Sequence, residues 1–231
     1  MNKHEFDQFA DGYRTIHSNA LAVTGETSEF FAEYKALKLA AWLPEFFTGQ
    51  PKKILDFGCG DGMMTRKVKN CFMNSKVYGV DPSSDSIKIA QAEHPDIEFK
   101  VSDATIPYKD ATFDLLYAAG VFHHIDFALH EHFMKELMRV LQPNGVLVMF
   151  ELNPYNPGTR YIFKRAPMDA NATMLQPRYA QSLCKPYGSV ATKYYAFFPH
   201  QLRFLRWTEK FLTWLPVGAL YATFLKKSTD I

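Results

Sequence analysis

Five short apolar runs recur between residues 53 and 151: KILDF (53–57), KVYGV (76–80), IEFKV (97–101), FDLLYA (113–118) and GVLVMFE (145–151). Each is rich in β-branched and aromatic residues with little polar alternation, the pattern of strands covered on both faces. The intervals at 63–72, 84–93 and 126–142 have helix length. The last sets Leu129, Phe133, Leu137 and Leu141 on one stripe and is closed by QPNG. Strands alternating with helices predict a parallel α/β sheet.

Beyond Glu151 the pattern changes. Residues 153–190 hold five of the thirteen prolines and no strong strand run, which predicts a cap or insertion. After it, 189–199 reads as a strand, 200–216 as an amphipathic helix and 218–227 as a final strand able to add an antiparallel edge. Ahead of the sheet, helices are predicted over 5–18 and 28–44. Phe6, Phe9, Ala10, Tyr13 and His17 share a face of the first. Phe30, Tyr34, Leu37 and Ala41 do so on the second, with Ser28 as its N-cap. The expected organisation is one domain over 1–231: a helical cap (1–46), a core (50–151), a lid (152–190) and a strand–helix–strand tail (191–231).

Composition narrows the classes. Apolar residues make up 47% of the 231, enough for a substantial core. Net charge is +2, which leaves no electrostatic footprint for nucleic acid. Cys59, Cys71 and Cys184 lack metal-site spacing and read as reduced thiols of a cytosolic protein. The N-terminus is polar and acidic, with no secretory pattern. The longest nearly apolar run, 212–225, is too short for a bilayer and is broken by Pro216 and Gly218. A cytoplasmic protein without a membrane span is expected.

The strongest chemical signal is ILDFGCGDGMMT (54–65). A buried strand ends at Phe57, glycines alternate at Gly58, Gly60 and Gly62, and a helix follows. Glycine at such a turn permits positive φ and close approach of a ligand to the backbone. The spacing is not the dinucleotide G-x-G-x-x-G, which disfavours an oxidoreductase. Asp56 and Asp61 beside the loop suit an amino-acid-like cation better than pyrophosphate. Asp81 ends the second strand, where an acid accepts from both ribose hydroxyls of an adenosine ligand. Asp103 follows the third strand, where a carboxylate accepts from an adenine amine, and Ala104 leaves room for the ring.

Taken in order, ILDFGCGDG, VYGVDPS, SDATIPYKDATFDLLYAAGVFHHI and ELMRVLQPNGVLVMFE resemble the class I S-adenosylmethionine-dependent methyltransferases, specifically the type 11/12 group, over roughly 50–151. The resemblance implies a Rossmann-like seven-strand sheet, mostly parallel, with an antiparallel last strand and helices on both faces. It implies S-adenosyl-L-methionine as cofactor, with Asp56 meeting the amino group and Gly58 to Gly62 the methionine part. By position in the motifs, Phe57, Asp81, Pro82, Asp103, Ala104 and Ala119 complete the cofactor set.

Asn153-Pro154-Tyr155 is similar to the Asn-Pro-Pro-Tyr signature of enzymes that methylate base amino groups. It follows strand five rather than strand four and lacks the second consecutive proline, so a small-molecule acceptor is expected instead. Oxygen is the expected methylated atom and nitrogen the second choice, in secondary metabolism or glycan and envelope biosynthesis. A non-catalytic cofactor-binding protein is the alternative from a different class. Should the acceptor need to lose a proton, His123 is the first candidate base and Glu151 the second. His17, His124 and Asn153, with Tyr13 and Tyr155 from an aromatic-rich set, are the expected acceptor-binding residues. His130 and His132 stand two apart on a helix and do not share a face, so no metal site is expected.

Overall fold

The structure, a computed structural model, describes residues 18–229. The helix expected over 5–18, with Tyr13 and His17, lies almost wholly outside the described residues. A seven-stranded sheet forms the centre: β1 (Lys53–Phe57), β2 (Lys76–Asp81), β3 (Glu98–Val101), β4 (Phe113–Ala119), β5 (Leu141–Leu152), β6 (Gly188–Tyr195) and β7 (Leu220–Lys227). Their order across the sheet is β3-β2-β1-β4-β5-β7-β6. Strands β1 to β5 pair in parallel, and β7 runs antiparallel to both β5 and β6. The C-terminal strand pair thus adds the antiparallel edge: β7 inserts beside β5, and β6 lies outermost.

Among the described residues the sheet is flanked by α1 (Ser28–Trp42), α2 (Met63–Cys71), α3 (Ser84–Glu93), α4 (Phe127–Val140), α5 (Pro157–Phe163) and α6 (Pro177–Cys184). One core cluster, including Leu55, Leu116, Phe122, Leu137 and Met149, lies on the α4 side. A second, including Leu39, Trp42, Ile54, Tyr117, Phe150 and Phe224, lies on the α1 side. Both faces of the central strands are therefore covered, and their sequences need no polar alternation. The edge strand β3 departs from this, with Glu98 and Val101 exposed.

Several expectations are corrected. The inward face of α1 carries Ser28, Ala32, Ala36, Leu39 and Trp42, while Leu37 is exposed. The helix's close neighbour is α2, and the small residues at 32 and 36 on the buried face are ones that a count of large apolar residues does not register. The N-cap is Thr27, whose side chain accepts from Phe30 N–H. On α4 the buried set includes His130, Phe133, Met134 and Leu137, and Leu129 is exposed. The 154–190 segment contains α5 and α6, the latter packed on β6 and β7.

The expected amphipathic helix at 200–216 is a 3-10 helix over His200–Phe211, with non-helical geometry at Leu202. Its inside and outside are exchanged. Glu209 is the buried residue, accepting from Phe197 N–H at 2.9 Å and paired with Tyr34 and Lys38. Anchoring by this one acid turns the aromatic residues outward.

Candidate active site

The carboxyl ends of β1, β2 and β4 open into a cleft, the position where ligands bind in open α/β sheets. Gly58, Gly60, Asp61, Asp81, Ala119 and Gly120 line it, with Ser28, Phe31, Ala32 and Lys35 of α1 opposite and Asp56 and His124 in its walls. Gly58 has φ +77°, and a Cβ there would meet Val121 Cγ2 at 2.5 Å. At Gly60, φ is +53° and no atom lies within 4 Å of a built Cβ, so the backbone borders open space. The two glycines thus do different work: one permits tight packing, the other leaves room for a ligand.

Two carboxylates shape this half of the site. Asp81 accepts from Gly60 N–H through Oδ2 and from Ser83 N–H through Oδ1, both at 2.9 Å. It therefore ties the glycine loop to the end of β2. Asp56 is buried and accepts at Oδ2 from the Thr65 hydroxyl (2.7 Å) and the Tyr117 hydroxyl (2.8 Å). Burial raises its carboxyl to about 7, against the lowering effect of those two hydroxyls, and Asp81 adds to the rise. An ammonium group beside Asp56 would favour its ionised form.

The sequence-expected cofactor residues do not all converge. Phe57 is buried in the α4-side core, Pro82 is buried behind the cleft, and neither is among the lining residues. Asp103 and Ala104 are exposed and also stand outside the lining. Their loop folds back on α4, where Ile106 N–H donates to Glu136 and His132 Nε2 to the Ala104 carbonyl.

Past Ala119 and Gly120 the cleft adjoins a second cavity lined by Lys35, His123, His124, Glu151, Met168 and Asp169, among others. Glu151, at the end of β5, accepts from Phe122 N–H at 3.0 Å and binds His123 Nδ1 at 2.6 Å. Asp169 Oδ1 lies 3.6 Å from His123 Nε2 and 3.5 Å from His124 Nε2. Burial alone would lower the His123 pKa, but the Glu151 and Asp169 carboxylates on its two nitrogens push it up to about 9. His124 is pushed down to about 3 by burial and by the neighbouring His123 charge, with Asp169 opposing. The two adjacent imidazoles thus take opposite states at neutral pH. Burial also lowers Lys35, while Glu151 and Asp56 oppose that effect.

His123, His124 and Asp169 place ligand atoms within 4.8 Å of one another, a group able to converge on a cation. Spacing along the chain did not foresee it, because Asp169 comes from the cap. His130 is engaged elsewhere, between the Tyr179 hydroxyl and the Phe122 and Ile125 carbonyls. Lys35 and Asp169 were missed altogether. A lysine next to the small-residue face of α1 is the signal that could have revealed the first, and the polar AP-Met-Asp turn in a proline-rich cap offers little for the second.

The Asn-Pro pairs shape the chain. Asn153 is fully buried, donates both amide hydrogens, to the Pro216 and Gly218 carbonyls, and accepts from Tyr155 N–H. Asn156 caps α5 by accepting from Thr159 N–H and donates to the Val217 carbonyl. Both side chains clamp the cap exit to the turn before β7. Tyr155 is half exposed and outside both cavities.

A glycine-loop cleft of this form on a β3-β2-β1-β4-β5-β7-β6 sheet defines the Rossmann-like methyltransferase fold. Residues 55–149 match the family described as "Methyltransferase domain". The chain is 36% identical over 107 residues to the demethylmenaquinone methyltransferase of Thermotoga maritima, covering 46% of each chain. It is 29% identical over 112 residues to the malonyl-[acyl-carrier protein] O-methyltransferase of Halalkalibacterium halodurans, covering 46% of this chain and 41% of that one. These alignments span less than half the length of either relative. A crystal structure of a Thermotoga maritima S-adenosylmethionine-dependent methyltransferase, titled as a possible histamine N-methyltransferase, superposes with TM-score 0.69 at 18% identity, covering 97% of this chain and 99% of that one. Residues 55–149 thus carry a methyltransferase domain, and the chain as a whole shares the fold of an S-adenosylmethionine-dependent methyltransferase.

Proposed function

We propose that this chain transfers a methyl group from S-adenosylmethionine to a hydroxyl of a small acceptor in the cytoplasm. The acceptor would sit in the cavity of Lys35, His124 and Asp169, with the cofactor in the adjoining glycine-loop cleft. The observation that carries the reading is the continuity of these two spaces, which share Lys35, Ala119, Gly120 and His124. The cofactor supplies an electrophilic methyl on a sulfonium. Gly58 to Asp61, Asp56 and Asp81 would hold it.

The chain's own residues handle the proton. His123, held protonated between Glu151 and Asp169, is a donor at neutral pH and not a base. His124 is neutral and borders both spaces; with its pKa held so low it holds the acceptor hydroxyl by a hydrogen bond and passes the proton on to water as the oxygen–methyl bond forms. Asp169 beside it orients the His124 ring. Lys35 positions the acceptor or offsets its charge. An amine acceptor is the second choice, since it needs less help from a base. One relative is an O-methyltransferase, which agrees with oxygen, and the proposed setting is secondary metabolism or glycan and envelope biosynthesis.

Transfer from radiolabelled S-adenosylmethionine to hydroxylated acceptors, compared between wild type and His124→Ala, tests this. Product formation lost in the variant supports the assignment. Cofactor binding with no transfer to any acceptor would favour a non-catalytic binding protein. A second reading is favoured by the convergence of His123, His124 and Asp169, which could close on a cation that activates the hydroxyl. Loss of activity on chelation, restored by one divalent metal, would select it over the metal-free reading.

A further inference from the structure

The outward face of the 200–217 segment is unlike the rest of the surface. Phe204 is 67% exposed, Trp207 68%, Phe211 63% and Trp214 72%. Of the chain's three tryptophans, two stand here in the open and only Trp42 is buried. Large aromatic residues are normally removed from water, and a contiguous exposed set marks an interaction surface. The charge pattern is equally one-sided. The segment's basic side chains Arg203 and Lys210 are exposed, Arg206 is paired with Glu26, and its one acid, Glu209, is buried.

A second basic surface adjoins it. Residues 157–166 carry Arg160, Lys164 and Arg165, all exposed, with half-exposed Tyr161 and no acid. An apolar cavity lies between the two surfaces, with Tyr161 and Ile162 on one side and Phe197, Phe198 and Arg206 on the other.

We infer that the 200–217 face docks on an anionic lipid surface. Aromatic side chains flanked by lysine and arginine are the composition of a segment lying in a membrane interface. Basic groups there are drawn to acidic headgroups. A second copy of the chain fits less well, because symmetric pairing would set exposed Arg203 and Lys210 against the like-charged face of the partner. The docking is peripheral: among the described residues no helix is long and apolar enough to cross a membrane. This inference does not depend on the methyl-transfer reading.

The test is flotation of the full chain with phosphatidylcholine vesicles and with mixed phosphatidylcholine–phosphatidylglycerol vesicles. The chain is expected to float with the mixed vesicles, to be released by high salt and to show a blue shift of tryptophan emission on binding. Each of Trp207→Ser and Trp214→Ser should weaken partition by about tenfold or more, the equivalent of one large buried apolar side chain. Arg203→Glu with Lys210→Glu should abolish the preference for the anionic vesicles. Unchanged thermal melting of these surface variants shows that the fold is kept. No flotation with either vesicle would overturn the proposal. So would a concentration-dependent dimer, dissolved by the tryptophan substitutions, in place of vesicle binding.

Discussion

The two halves of the cleft are built in different ways. On the β1–β2 side the residues come from one continuous stretch and its successor: Asp56, Gly58, Gly60 and Asp81 stand within 26 positions. Their polar atoms are tied to the chain itself, as Asp81 is to the Gly60 and Ser83 amides. On the β4–β5 side the residues come from four distant segments: Lys35 on α1, His123 and His124 after β4, Glu151 on β5, and Asp169 in the cap. Their interactions are mutual, side chain to side chain, and each sets its neighbour's charge. The first half is a cleft braced by backbone amides. The second is an electrostatic assembly in which two adjacent histidines differ in protonation because only one lies between two carboxylates.

This contrast can be broken by substitutions on each side. The largest effect is expected in the assembly. His124→Ala should lower kcat by about 10²-fold, the loss of a group that positions the acceptor hydroxyl. Saturating cofactor should not restore it. Equal kcat in the variant on the true acceptor would remove His124 from the chemistry.

Next comes the braced half. Asp81→Ala removes the acceptor of the Gly60 and Ser83 amides as well as the expected ribose partner. Loss of one charge-assisted hydrogen bond is about 1.5–3 kcal/mol, or roughly 10- to 100-fold in the Kd for S-adenosylhomocysteine by calorimetry. Unaltered affinity would mean that Asp81 only braces the loop.

A smaller effect, on stability alone, is expected behind both halves. Asn153→Ala orphans the Gly218 carbonyl in its buried contact, removes the part-buried bond to the Pro216 carbonyl, and should cost about 1–3 kcal/mol in denaturant melts. Cofactor affinity should stay as it was. A drop in affinity without a stability change would instead make Asn153 a binding residue.

The smallest is a proton count. Asp56, raised to about 7, becomes ionised when a cation sits beside it, so S-adenosylhomocysteine binding just below pH 7 should release a fraction of a proton. Calorimetry in buffers of different ionisation enthalpy measures this release, and Asp56→Asn should abolish it.

How much could be read from the chain follows the same division. The strand ends, the glycine loop and Asp81 are local, and each motif places its own backbone. Strand β7 escaped placement because an apolar run of eight residues does not state which neighbour it joins. Face assignments on α1 failed where Ala32 and Ala36, not the larger Leu37, made the contact. The Asp103 loop was expected at the cleft by analogy of position, but its bonds to His132 and Glu136 draw it towards α4. The gathering of Lys35, His124 and Asp169 around one cavity depends on tertiary closure across more than 130 positions, for which periodicity holds no signal. The 200–217 segment misled because its apolar period suggested a buried face, whereas one acid, Glu209, decides which side turns inward.

The opposed states of His123 and His124 are the centre of this account, and they have a consequence for stability. His123 is raised from 6.5 to about 9 in the folded chain, so its contribution is complete below about 6.5 and is lost as pH rises through about 9. His124 is depressed to about 3, so its contribution is present above 6.5 and is lost as pH falls towards about 3. The most direct test is an NMR titration of the imidazole carbons and nitrogens, with His123→Gln and His124→Gln to assign the signals. One of the two is expected to stay protonated until pH is near 9 while the other stays neutral throughout the acidic range in which the fold persists. Two histidines titrating together near 6.5 would contradict it.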